Sequence, residues 1–281
     1  MIGQNMGEIY YNCIRKIKSK GEVIDAGSGG QTLEITNQQV TLNNSSLLGI
    51  QDPSRKWNED YAIAEFLWYL GRHPSVGVMN EYASIWGKIK DEKGEVESNY
   101  GEYIFSNQWY WIVNELEADP FSRRAVISIY KNEHKFKNDF DHPCTMYIQF
   151  LIRNHKLHLI WNMRSCDLIY GLCNDMFCAA LILQLMTNEF RESDNLHIDE
   201  GSVSFNIGSL HVYEKHWPMI FKAKKFWGTS HKVRGQSYHL ARKLTQSQLR
   251  LDDMAIYGYM SKEQCDTKIN QFNKTYIKGY L

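Results

Sequence analysis

The sequence predicts an α+β fold in which a substantial sheet is packed with helices. Three short runs rich in β-branched and aromatic residues, at 124–130, 145–152 and 157–163, are bounded by polar breaks and read as strands. Two stretches, 61–70 and 176–186, are too evenly apolar for surface helices and read as core helices. In chain order, residues 8–20 predict a short helix, and Ala26-Gly27-Ser28-Gly29-Gly30 a glycine-rich turn. Thr32-Leu33-Glu34-Ile35-Thr36 alternates as a strand does, and a second alternation at Gln39-Val40-Thr41-Leu42 predicts its hairpin partner. The helix over 61–70 carries one charge, Glu65, where a solvated carboxylate is not expected. After the three strands and the second core helix, Ser209-Leu210-His211-Val212-Tyr213 predicts a last strand. No repeat or low-complexity tract interrupts the chain, and 281 residues are read as one domain, with a polar segment from about residue 222 to which no role is assigned.

Composition narrows the function. Lys plus Arg number 32 and Asp plus Glu number 32, so no global field draws this protein toward nucleic acid or a membrane, and an anion must be bound by local groups. A small substrate is therefore expected. The first residues lack a basic segment followed by an apolar one, and no unbroken apolar run of about 18 residues occurs, which points to a cytoplasmic protein. Six cysteines, at 13, 144, 166, 173, 178 and 265, form no CxxC pair and suit reduced thiols better than disulfides or a zinc site. No metal is expected.

Glu65, Cys144, Gln149, Arg164, Asp167, Asp175, His211 and Tyr213 are polar residues within otherwise apolar strands and helices. A buried charge is costly unless paired, so a set of them spread along the chain predicts convergence on one polar pocket.

The order and spacing of this set resemble the thymidylate synthase family. The likeness rests on His142-Pro143-Cys144-Thr145 with Gln149-Phe150, on Met163-Arg164-Ser165-Cys166-Asp167 with Gly171, on Gly208-Ser209-Leu210-His211-Val212-Tyr213, and on Arg123-Arg124. Within that family the sequence is more similar to the phage-type deoxycytidylate hydroxymethylases. Lys93-Gly94-Glu95 leading to Ser98-Asn99-Tyr100-Gly101, Asn162-Met163-Arg164-Ser165, and Asn174-Asp175 carry this closer likeness.

The resemblance implies a large mixed sheet, one face of which forms a symmetric dimer. It also implies 5,10-methylenetetrahydrofolate as co-substrate and a nucleotide as substrate, with neither membrane nor nucleic acid required. C5 of a pyrimidine is a poor nucleophile until a thiolate adds at C6, and Cys144 fills that position. Arg164 would favour the thiolate and hold the nucleotide phosphate, with Ser165 adding a hydroxyl. Arg123 and Arg124 would reach the phosphate in the other subunit's site. His211 and Tyr213 would bind the sugar 3'-hydroxyl, and Gln149 belongs to the substrate-binding set. Glu65 and Tyr100 would relay protons, while Trp86, Asp167 and Gly171 would meet the folate. Asp175 stands where the thymidylate-making enzymes carry an Asn. A carboxylate accepts from the cytosine amino group and repels the uracil O4, so cytosine is the expected base.

Two departures qualify the pattern. The loop at 26–31 lacks the usual basic residue, so backbone N–H groups and Ser28 would have to substitute. Ile89 stands where the methylases carry a second tryptophan, which favours water over hydride as the trap for the one-carbon intermediate. The reading is thus a dCMP 5-hydroxymethylase, with CMP as a rival substrate, methylation as a rival outcome, and a non-catalytic nucleotide- or RNA-binding protein as the other class.

Overall fold

The first helix begins where Asn5 accepts a hydrogen bond from the Glu8 N–H at 2.8 Å, while Glu8 accepts from the Gln4 N–H at 2.8 Å. The two side chains satisfy orphan donors reciprocally, which sets the start two residues earlier than hydropathy alone suggests. The computed structural model describes residues 1–43, 45, 47–50, 52–135, 141–192, 196–223, 231–232 and 267. Almost all of the polar segment beyond 222, with Cys265 in it, lies outside the described residues.

The strands are β1 (Ile2–Gly3), β2 (Glu22–Asp25), β3 (Gln31–Leu42), β4 (Leu47–Leu48), β5 (Val126–Ser128), β6 (Thr145–Arg153), β7 (Lys156–Asp167), β8 (Asp199–Tyr213) and β9 (His231–Lys232). The helices are α1 (Met6–Lys20), α2 (Glu59–Gly71), α3 (Gly77–Tyr82), α4 (Trp86–Ile89), α5 (Tyr100–Ile104), α6 (Asn107–Ala118), α7 (Cys173–Glu192) and α8 (Trp217–Lys222). Among the described residues, seven strands form one mixed sheet in the order β1-β3-β8-β7-β6-β5, with β2 paired to β3, and the β7–β8 and β1–β3 pairs are parallel. The predicted α+β class holds.

One expectation is corrected. The two alternations at 32–36 and 39–42 are not a hairpin but a single strand, β3, and the hairpin partner is β2 across the glycine-rich turn. Asn37, with φ of 52°, sits between the Thr36–Ser209 and Gln38–Ile207 pairs and bends the strand there. Asn tolerates this left-handed backbone, so a polar trio that resembles a turn instead kinks a continuous strand. The kink continues across the sheet: a Cβ at Gly208 would lie 2.6 Å from the Arg164 carbonyl oxygen, so glycine alone lets β8 approach β7 at that level.

α2 and α7 form the helical core, and α7 with its preceding turn is 89% buried over its most apolar stretch. That segment is apolar and long enough to cross a membrane, but here it packs on the sheet. α5 docks on α2 so closely that a Cβ at Gly101 would lie 1.8 Å from the Tyr69 carbonyl oxygen. This approach delivers Tyr100 to the end of β6.

Candidate active site

The turn that precedes β6 carries Cys144 and is fastened from two sides. On one side the Tyr100 hydroxyl accepts from the backbone N–H groups of Cys144 at 3.2 Å and Thr145 at 3.4 Å. On the other, the Arg164 guanidinium donates to the carbonyls of Pro143 at 3.1 Å and His142 at 2.9 Å, and the Arg164 N–H donates to the Cys144 carbonyl at 2.9 Å. A guanidinium has five N–H groups, so this exposed side chain keeps donors for an anion. Asp141, buried at the base of the same turn, accepts from the Ser98 N–H and hydroxyl at 2.7 and 2.6 Å and so ties the turn to the segment leading into Tyr100.

The Cys144 thiol is pulled in two directions. Burial pushes Cys144 up to about 11; Arg164 opposes this, and the charges of Asp175 and Asp141 add to it. Arg164 therefore does not leave the thiol ionised in the unliganded protein, because desolvation outweighs one guanidinium already shared with two carbonyls.

Two buried carboxylates stand nearby. Glu65 on α2 accepts from the Tyr61 hydroxyl at 3.2 Å, and Tyr61 accepts in turn from the Trp86 indole at 3.1 Å. Burial, reinforced by the Asp175 charge, raises Glu65 to about 8. Asp175 in the first turn of α7 has the Cys166 thiol as its partner, at 3.8 Å, and burial raises it to about 6. Capping of this helical segment falls to Asp167 instead: its Oδ1 accepts from the Ile169 N–H at 2.6 Å and from the Tyr170 N–H. Gly171 packs against Asp175 and Cys166, where a Cβ would lie 3.2 Å from Asp175 Oδ2.

Glu65 Oε2 and Asp167 Oδ2 are buried without a hydrogen-bond partner among the described residues. Buried polar atoms of this kind are rare in folded proteins and mark places where a ligand's polar groups fit. Burial raises Asp167, with the Tyr170 N–H and the neighbouring His211 opposing. Asp167 of β7 lies beside His211 of β8, and Ser165 lies beside Ser209. The ring of Tyr213 meets His211 edge-on at 5.2 Å, and the glycine-rich turn abuts Tyr213, since a Cβ at Gly29 would be 3.0 Å from its ring. The Ser28 side chain lies outside the described residues.

Cys144, Tyr100, Arg164, Asp175, Glu65, Trp86, Asp167, Gly171, Ser165, His211 and Tyr213 thus converge around the kinked end of the sheet. Gln149 and the arginine pair do not join them within one chain. Gln149 is five residues along β6 from Cys144, about 16 Å of extended strand, and its amide donates to the Arg123 carbonyl at 2.8 Å. Arg124 is exposed and pairs with Glu115 of α6 at 2.8 Å. Sequence reading assigned no role to Tyr61, Cys166 or Asp141. Tyr61 was the accessible one, four residues before Glu65 on one helix face. Cys166 and Asp141 act through contacts that no local pattern encodes.

The model of the thymidylate synthase family matches residues 8–271. The chain belongs to the thymidylate synthase family. It is similar to a deoxycytidylate 5-hydroxymethyltransferase of Enterobacteria phage T2, at 29% identity over 223 residues, covering 76% of this chain and 87% of the relative. The enzyme of the same description from Enterobacteria phage T4 is 29% identical over 214 residues, covering 73% and 84%. As a member of the thymidylate synthase family, the chain is an enzyme of one-carbon transfer to C5 of a pyrimidine nucleotide, and the family's donor is methylenetetrahydrofolate.

Proposed function

We propose that this protein is a dCMP 5-hydroxymethyltransferase acting through a covalent bond between Cys144 and C6 of cytosine. The observation that carries the reading is the pair of buried carboxylates: Asp175, whose charge acts on Cys144, and Glu65, which neighbours Asp175. At neutral pH Asp175 is mostly ionised and accepts from the cytosine amino group, whereas a uracil O4 would face it acceptor to acceptor. Glu65 is mostly protonated and able to give up a proton at the base edge. Splitting the affinities of two neighbouring acids in this way provides one acceptor and one donor in the same pocket.

Nucleotide binding supplies what the free thiol lacks. The phosphate takes the Arg164 donors not committed to Pro143 and His142, with Ser165 adding a hydroxyl, and the Cys144 thiol releases its proton to solvent as its sulfur adds to C6. The resulting enamine makes C5 nucleophilic. Methylenetetrahydrofolate supplies the one-carbon unit at the oxidation level of formaldehyde, and Trp86, Asp167 and Gly171 would hold it. The unpartnered Asp167 Oδ2 fits a co-substrate rich in N–H donors. C5 attacks the methylene carbon of the co-substrate, and loss of the C5 proton with departure of tetrahydrofolate leaves an exocyclic methylene on the pyrimidine. Addition of water there, followed by release of Cys144, gives the hydroxymethyl product. In support of water over hydride, Ile89 stands where the family's methylases carry a second tryptophan. The similar phage relatives are deoxycytidylate 5-hydroxymethyltransferases, which agrees with this reading.

The reading includes a dimer, in which Arg123 and Arg124 serve the phosphate site of a second copy of the chain. Gln149 holding the Arg123 carbonyl, and Glu115 holding the Arg124 guanidinium, would preset both for that reach.

Release of tritium from [5-³H]dCMP tests the mechanism. Wild type is expected to release it, and Cys144→Ser to release none above background while still binding the nucleotide. Full release by Cys144→Ser would end the covalent mechanism.

A further inference from the structure

Three strands place a serine between a carboxylate and a histidine at the kinked end of the sheet. His211 lies opposite Glu34 of β3 on one side and Asp167 of β7 on the other, while Ser209 lies opposite Thr36 and Ser165. Ser209 and His211 are two residues apart on one strand, so their side chains share a face. The Ser209 hydroxyl donates to Glu34 Oε2, and its oxygen is 3.2 Å from His211 Nδ1.

We propose that Ser209 and Glu34 are positioning residues that lock His211 in one tautomer, with the proton on Nδ1 and the Nε2 lone pair presented to the ligand. A serine hydroxyl has one proton and two lone pairs, and a carboxylate only accepts. The proton is therefore committed to Glu34, and the oxygen meets the imidazole as an acceptor. The 3.2 Å contact is a hydrogen bond only if Nδ1 is the donor. A neutral imidazole has one N–H, so Nε2 is left as an acceptor. Imidazoles free in water favour the opposite tautomer, with the proton on Nε2, so the two residues reverse an intrinsic preference.

The lock rests on the reading of His211 as the contact to the nucleotide sugar, and it defines that contact's direction. The sugar 3'-hydroxyl donates to Nε2, and a 3'-substituent that only accepts is rejected because two lone pairs then face each other. Asp167, one strand away, does not take this role: its Oδ1 accepts from the Ile169 and Tyr170 N–H groups, and its Oδ2 makes no hydrogen bond to His211.

The test is a long-range ¹H–¹⁵N correlation spectrum of the full-length protein, labelled at histidine, without ligand and at pH 8, above the ordinary histidine range. His211→Gln identifies the signals. Wild type is expected to show a protonated-type Nδ1 and an unprotonated-type Nε2. In Ser209→Ala the proton moves to Nε2, and in Ser209→Thr the wild-type pattern returns. In kinetics, Ser209→Ala raises KM for the nucleotide about tenfold, the loss of one oriented hydrogen bond, with kcat changed less than about twofold. The 3'-deoxy nucleotide shows no difference between Ser209→Ala and wild type. A proton on Nε2 in wild type overturns the lock, and so does a Ser209→Ala variant with unchanged tautomer and KM. If the tautomer is as stated but no pyrimidine nucleotide is turned over, the functional reading fails and the lock stands.

Discussion

Glu65 shows how one residue's environment sets both its chemistry and its stability cost. Its apolar helix keeps water away, and Asp175 adds a like charge, so it holds its proton up to about pH 8 when folded against 4.5 when unfolded. The folded state then binds more protons than the unfolded state between those values, and stability falls as pH rises across that window. From pH 6 to 8 the loss is about 2–3 kcal/mol at the usual conversion of proton affinity to free energy. Glu65→Gln removes the titrating group. Urea unfolding is therefore expected to show wild type losing about that much more stability than the variant between pH 6 and 8, and equal losses would contradict the assignment. Glu65 was legible in the sequence because a single charge in an apolar run is anomalous by itself. The partner of Asp175 was not: Cys166 meets it through a strand-to-helix contact nine residues away, and cysteine is usually an inert core residue.

At the scale of elements, the catalytic turn depends on how α5 docks. Tyr100 is the first residue of that helix, and burial holds its phenol well above the ordinary range, so it stays protonated. Its oxygen accepts from two backbone N–H groups, which makes it a brace for the Cys144 turn and directs its own proton away from them. The brace requires α5 to lie against the end of α2, which Gly101 permits. Gly101→Ala places a Cβ on the Tyr69 carbonyl and is expected to lower the melting temperature by about 5–10 °C, as overpacking at a rigid backbone contact does. An unchanged melting temperature in scanning calorimetry would show that this contact is soft. The core helices, the strands β5 to β7 and the last residues of β8 were readable because their apolar runs are long or β-branched. The kink in β3 was not, because Asn37-Gln38-Gln39 has the composition of a turn, and only pairing with β8 on both sides of it keeps the strand continuous.

For the whole molecule, the family was legible from motifs that lie far apart in sequence, and the sheet's kinked end accounts for their convergence. Arg123 and Arg124 were read as serving a second copy's site, so a place away from Cys144 within one chain was expected of them, but not of Gln149, since a motif records order and not position. If each site uses arginines from a second copy, two inactive variants should complement each other. Mixing Cys144→Ser with an Arg123→Ala, Arg124→Ala double variant, after subunit exchange, is expected to restore about one quarter of wild-type activity, since half the dimers are mixed and each has one intact site. No recovery would place all the phosphate ligands in one chain. The central claim is hydroxymethylation of a cytosine deoxynucleotide, and a mass spectrum of the product tests it most directly. After incubation with methylenetetrahydrofolate and, separately, dCMP, CMP and dUMP, a gain of CH2O on dCMP is the predicted result. A gain of CH2 would mean that hydride traps the intermediate, a gain mainly on CMP would move the substrate to ribonucleotides, and turnover of dUMP alone would contradict the role given to Asp175.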